Sequence, residues 1–440
     1  MSFVALHSFW KTESERTIDS FSRIYENRAL LRSVVGELFA THLPKEHLAG
    51  KQILIKPNLV KQNRIPGDAL CLRTNENLIL AVLEVVLEQK PISVVIADTP
   101  IQGCDWEGVT STLAPSVSML SSQFGIPVSL VDLRRVRFDQ RTNVFQGHCR
   151  PLERNVLFDL GRDSLLEPLC DDRHSPFRLL QYSAKRLAQS HHSGVHKYCL
   201  AREVFECDTI ISLPKLKTHE KTCITNALKN LVGVNGDKDY LPHHRVGGTG
   251  MGGDCYKGGN ILRRFAEFIF DIANEHIGTW LYRPTYILGR MIWKLSFPGA
   301  EHTFTAGWHG NDTVWRMVHD LNRIVLYGTV DGMIRPERQR TIYTLSDAII
   351  IGQGNGPLRP EPLPMGFLMF SDNSPLLDHI AARLMSFRPE CIPMLKYSSC
   401  CMEEPFDLIC NKKSIKLEEL KKLAVSVKLP LGWVNYTKHG

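Results

Sequence analysis

The sequence predicts an α/β fold: a largely parallel sheet with helices on both faces, plus a helical insertion and a C-terminal strand-loop-helix unit. Three observations carry this expectation. After Gly50, short apolar runs alternate with amphipathic segments of helical period. Several of the runs end in charged residues, as strands do when they deliver side chains to one sheet edge. The chain has 440 residues, 43% of them hydrophobic and 22% charged, enough apolar length for a large core and too much for a disordered polymer.

Residues 1–50 read as a helical N-terminal preface, with an apolar-periodic segment from Leu30 to Leu43 closed by Pro44. An α/β core with a lysine/histidine cluster is expected over 51–260. Its first strand, Ile53 to Ile55, ends in Lys56-Pro57-Asn58; a helix from Asn75 to Glu88 follows, with Leu78, Val82 and Val86 on its apolar face. The run Val94 to Ala97 ends in Asp98, and Val128 to Val131 ends in Asp132. The stretch 150–190 is less regular; a helix is expected near Cys199 to Phe205, then a strand from Thr209 to Leu213. A mostly helical insertion spans 261–330, including a helix from about Asp312 to Leu326 with Asn311 or Asp312 as N-cap. Residues 331–440 form a C-terminal α/β segment completing the core, with strands at Ala348 to Ile351 and Phe367 to Phe370 and a helix from Pro375 to Met385.

Composition narrows the function classes. The net charge is +7, with acids interspersed among the bases, so no dense basic stripe points to nucleic acid. No run of about 18 uncharged apolar residues marks a transmembrane helix, and the N-terminus lacks the pattern of a signal peptide. Residues 280–297 are aromatic and basic, which makes peripheral membrane contact through this segment an alternative to packing within the chain. The 12 cysteines have no C-x-x-C spacing and suit a reducing cytosol, so neither a disulfide framework nor an iron–sulfur cluster is expected, and a cytoplasmic location is.

Ligands of parallel α/β sheets bind beyond the carboxyl ends of the strands, where Lys56, Asn58, Asp98, Asp132, Lys215 and Lys217 would gather. Lys215 and Lys217 are two apart, so extended chain points both ammonium groups to one face. Thr218 is expected to cap a following helix that carries Thr222, Asn226, Lys229 and Asn230 on a polar stripe, with Cys223 and Leu228 on the buried side. Two lysines, His219, helix-start amides and a third lysine around one point would attract a phosphate or carboxylate. Asp237, Asp239, His243 and His244 follow as candidate ligands of a divalent metal, with a plain polar loop over the lysine cluster as the competing reading. His196 is a candidate general base, against a structural histidine.

Several separated segments then carry a family resemblance: Ile55-Lys56-Pro57-Asn58-Leu59, Ala97-Asp98-Thr99-Pro100, Ser193-Gly194-Val195-His196-Lys197-Tyr198, Leu213-Pro214-Lys215-Leu216-Lys217-Thr218-His219 and Asn226-Ala227-Leu228-Lys229-Asn230-Leu231-Val232-Gly233. Over about residues 50 to 390 the chain resembles the bacterial and archaeal family called domain of unknown function 362. Gly310-Asn311-Asp312-Thr313-Val314-Trp315-Arg316 and Gly354-Asn355-Gly356-Pro357-Leu358 look like its longer branch, which lacks the appended ferredoxin-like segment of other members. The resemblance implies a cytoplasmic role linked to surface-polysaccharide metabolism. A distant similarity of fold to lactate racemases, which use histidines and a nickel cofactor, singles out His196, His219 and His243.

The combined expectation is an enzyme acting on a small anionic metabolite, a sugar phosphate or a hydroxy or carboxylic acid, with proton-transfer or metal-assisted chemistry. His219, His196 and Asp98 would be catalytic; Lys56, Asn58, Lys215, Lys217, Lys229, Asn230 and Asn355 would bind substrate. The alternatives are a non-catalytic membrane-surface or partner-binding scaffold, or an iron–sulfur redox protein.

Overall fold

The computed structural model describes residues 1–62, 67, 69–139, 144–170, 175–296, 306–434 and 436. Eleven strands form its large sheet: β1 (Ser2–Ser8), β2 (Gln52–Pro57), β3 (Ser93–Asp98), β4 (Val128–Asp132), β5 (Thr209–Leu213), β6 (Lys215–His219), β7 (Cys223–Thr225), β8 (Thr341–Gln353), β9 (Glu361–Ser371), β10 (Phe406–Cys410) and β11 (Lys413–Ser414). Their order is β11-β10-β1-β9-β8-β5-β2-β3-β4, with β6 pairing β8 and β7 pairing β6. The block β8-β5-β2-β3-β4 is parallel throughout, while β9 runs antiparallel to both β8 and β1. This is the mostly parallel α/β architecture expected from the alternation of apolar runs and helices.

The continuous apolar runs follow from burial on both faces. Ile53 and Ile55 enter one core layer with Ile211, Leu345 and the helices Arg28–His42, Glu76–Glu88 and Leu113–Phe124. Leu54 and Ile210 enter the other, with the helices Val314–Tyr327 and Ser374–Leu384. Each such side chain taken fully from water contributes about 1.5–3 kcal/mol. Caps fix where helices begin: Asn75 accepts the Asn77 N–H and Asn373 that of Leu376. Asn311 accepts the N–H groups of Thr313 and Val314 at the head of Val314–Tyr327.

Three local expectations are corrected. Residues 1–50 are not helical alone, because Ser2–Ser8 joins the sheet between β9 and β10. Cys199 lies in a strand, Val195–Ala201, paired antiparallel with Asn155–Asp159; only the four residues Glu203–Glu206 are helical there. Thr218 does not cap a helix: it lies within β6, and its hydroxyl donates to the Gly354 carbonyl at 2.8 Å. Pro214, lacking an N–H, divides β5 from β6, and its carbonyl accepts the Asp347 N–H, so both segments run along the 13-residue β8. The helix itself is short, Ala227–Asn230, and starts only after the hairpin formed by β6 and β7.

Candidate functional site

Neighbouring strand ends build the floor of the site. Lys56 closes β2 and Asp98 closes β3, and their side chains form an ion pair of 2.7 Å with exposures of 1% and 3%. The Lys56 ammonium also donates to the Pro57 carbonyl at 2.7 Å and to Asn230 Oδ1 at 3.2 Å. Asn230 in turn donates to the Lys56 carbonyl and the Ser212 hydroxyl, tying the short helix to β2 and β5. Asp98 accepts the Leu59 and Thr99 N–H groups. Such saturation is what a buried ion pair requires, since desolvation otherwise exceeds the Coulombic gain. Gly233 sits against the pair: a Cβ there would lie 2.5 Å from both Asp98 Oδ1 and Lys56 Nζ.

Above this floor is a cavity of about 380 Å³. Five lysines line it, Lys56, Lys217, Lys221, Lys229 and Lys238, with His219 and His243. Among the described residues its lining carboxylates are Asp98, already committed to Lys56, and Glu220. Lys217 donates to Asn58 Oδ1 at 3.0 Å and the Leu72 carbonyl at 2.7 Å. Lys238, from the loop after the short helix, donates to the Thr99 carbonyl at 3.2 Å. The Lys229 ammonium has no hydrogen-bond or ion-pair partner among the described residues, and the Thr99 hydroxyl, also in the lining, is buried without one.

Crowding shows in the acidities. Burial, then the charge of Lys215, lowers Lys217 from 10.5 to about 7. Burial, then Lys221 and Lys238, lowers Lys229 to about 7, and burial lowers Lys238 to about 8. Lys221 is lowered as well, chiefly by burial. His219 and His243 both fall well below 6.5, through burial first and then Lys229 and Lys221. Both imidazoles are therefore neutral near pH 7, and their hydrogen bonds fix opposite tautomers. His219 Nδ1 accepts the Lys221 N–H at 3.0 Å, which leaves the proton on Nε2. His243 Nδ1 faces the Leu241 carbonyl at 2.9 Å and must donate, which leaves Nε2 as an acceptor.

The other sequence candidates go elsewhere. Lys215 does not line the cavity: its ammonium meets Asp347 at 2.8 Å with both side chains fully buried, and donates to the Tyr25 hydroxyl and the Ile350 carbonyl. The pairing of β6 with β8 shifts register between Lys215 and Lys217, so simple strand alternation does not fix where the two side chains end. His196 is fully buried on the small sheet, between Glu167 at 3.1 Å and His191 at 3.3 Å, and does not reach the lysine cavity. The three histidines do not share one site. Asn355 is exposed and accepts the Leu431 N–H; Pro357 and Leu358 of the same loop reach the lining instead.

The four candidate metal ligands are likewise dispersed. Asp237 pairs with Arg135 at 2.6 Å, Asp239 with Arg186 at 2.9 Å, His243 turns into the cavity, and His244 is held in a two-residue strand against Arg178. Among the described residues no group of three or more His, Cys, Asp or Glu is placed to hold a metal ion. Asp132 acts from outside the lining: it binds the buried Arg134, whose guanidinium donates to the carbonyls of Ile101, Gln102 and Cys104 and so holds the loop along one cavity wall.

Sequence reasoning did not select Lys221, Lys238 or Thr99. Lys221 stands two residues after His219, and Lys238 lies inside the segment read for metal ligands, so the surplus of lysines around these histidines was the available signal.

Residues 161–383, just over half of the 440-residue chain, match the family model described as a domain of unknown function (DUF362). The match covers Lys215 through His243 but begins after Lys56 and Asp98. No curated protein matches the chain. With its cavity lysines and histidines carried mainly by the matched region, the chain belongs to the DUF362 family.

Proposed function

We propose that this protein is an enzyme acting on a small metabolite that carries a phosphate or carboxylate group, such as a sugar phosphate or a hydroxy acid, and that the lysine cavity is its site. The carrying observation is the excess of lysine: Lys217, Lys221, Lys229 and Lys238 line one small cavity whose carboxylates among the described residues are Glu220 and Asp98, the latter tied to Lys56. Lysines held down to about 7 and about 8 are strained against protonation, and an anion between them restores their charge. Lys229 and the Thr99 hydroxyl supply donors that have no competing partner among the described residues. Among buried and half-buried side chains each ammonium–oxyanion contact is worth more than in water.

The two histidines give the reading a reaction class. His219 presents an N–H and His243 a lone pair, so a substrate held between them meets an acid and a base in one cavity. Burial and then lysine charge depress both imidazoles, and a bound anion offsets the lysine part of that shift. Proton abstraction beside an anionic group, as in an isomerisation, fits this arrangement.

The test has two stages. Titration calorimetry with inorganic phosphate and with pyrophosphate is expected to show saturable binding that Lys229→Gln weakens by about tenfold or more. Incubation with a panel of sugar phosphates and hydroxy acids in deuterated water, followed by NMR, is expected to show exchange of a carbon-bound proton that His243→Gln abolishes. No anion binding refutes the site. Anion binding without exchange on any member of the panel refutes the proton-transfer assignment.

A further inference from the structure

Outside the cavity, the helices Ile261–Glu275 and Tyr282–Leu295 form a hairpin whose second helix is apolar on two opposite sides. One side packs inward. Tyr282, Gly289 and Trp293 are buried, and Gly289 lies so close to Phe270 that a Cβ would meet the ring at 2.8 Å. The other side is in solvent: Ile287, Leu288, Met291 and Leu295 are 56%, 48%, 56% and 73% exposed, and Trp280, just before the helix, is 82% exposed. Spacings of three, four and seven place them on one stripe. Arg283, Arg290 and Lys294, spaced by seven and four, form a second exposed stripe beside it.

The geometry points to an anionic lipid surface as the partner of this helix. We infer that the Trp280–Leu295 face lies in the headgroup region, with the apolar stripe inserted and the three basic side chains on lipid phosphates. Charge selects this occupant. Residues 276–296 contain no aspartate or glutamate, and the acids of the first helix are engaged elsewhere: Glu267 with the Gly247 N–H, Asp271 with Arg178, and Glu275 with the Ser183 hydroxyl. A second copy docked through the same face would set one uncompensated basic stripe near the other, whereas an anionic bilayer satisfies both stripes at once. None of the described helices is long and apolar enough to cross a membrane, so the contact is in-plane. The expectation for residues 280–297 is thereby confined to Trp280–Leu295, since Phe297 lies outside the described residues. The inference does not rest on what occupies the lysine cavity.

Sedimentation of the full chain with vesicles tests it. Vesicles of phosphatidylcholine with phosphatidylglycerol should carry the protein down, and vesicles of phosphatidylcholine alone should carry far less. Arg283→Gln/Arg290→Gln/Lys294→Gln should lower partition onto the mixed vesicles on the order of a hundredfold. Ile287→Ser/Met291→Ser, which makes the surface more polar without touching the buried side, should abolish it while circular dichroism and phosphate binding stay unchanged. Absence of partition, or partition equal in both vesicle types and in the basic-stripe variant, overturns the inference. So does a dimer in solution that Ile287→Ser/Met291→Ser dissociates, because the face would then belong to a second copy.

Discussion

Raising the pH should empty the cavity of its anion, in a range where ordinary lysines remain charged. Lys217 and Lys229 are held near about 7 and Lys238 near about 8, against 10.5 for a free lysine. An anion binds the protonated forms, so its affinity is full below about pH 7 and falls as the pH rises through these values. If the bound anion keeps Lys229 protonated, each pH unit above about 7 costs about tenfold in affinity from that side chain alone, or about a hundredfold by pH 9. Sulfate is the suitable probe, since its own charge is constant over this range. Calorimetry at several pH values, repeated in buffers of different ionisation enthalpy, should show affinity falling with pH and net proton uptake on binding above about pH 7. Lys229→Gln should remove part of that proton uptake. Sulfate affinity that is flat from about pH 6 to about pH 9, with no proton uptake, would refute the assignment of these lysines as the anion's partners.

Three further outcomes follow from the same geometry. Without anion, Lys229 binds fewer protons in the folded than in the unfolded chain between about pH 7 and 10.5, so its contribution to denaturant stability, read as the difference from Lys229→Gln, should rise with pH across that window; a difference that falls there contradicts the lowered lysine. Asp347→Ala leaves the fully buried Lys215 charge without its carboxylate and should cost about 3–5 kcal/mol in urea denaturation, with a loss under about 1 kcal/mol counting against the pair. Gly233→Ala drives a methyl group into the Lys56–Asp98 pair and should cost about 1–3 kcal/mol and weaken sulfate binding, whereas His196→Gln should leave sulfate affinity unchanged; the reverse pattern would move the site to the small sheet.

Much of the fold was legible because its signals are local. The runs Ile53–Ile55, Val94–Ala97 and Ile210–Ile211 are apolar at successive positions since both sheet faces are covered, and Asn75 marks a helix start by a hydrogen bond only two residues away. Strand β1 escaped notice because Ser2–Ser8 is extended through pairing with residues near 370 and 408, partners that no local pattern names. The hairpin of β6 and β7 escaped for a similar reason, its apolar spacing being equally compatible with a helix.

By itself, then, the sequence determined the alternation of strands and helices, and with it that Lys56 and Asp98 end neighbouring parallel strands and that a lysine-rich segment follows Leu213. Those properties depend on period and order along the chain. The tertiary structure alone decided the destinations of individual side chains. It sent Lys215 to Asp347 and Lys217 to the cavity, sent Asp237 and Asp239 to arginines, left His196 on the small sheet, and turned His243 towards the lysines that surround His219. The physical reason is that a buried charge goes where a partner compensates its desolvation, and those partners, Asp347 above all, lie far away in the chain.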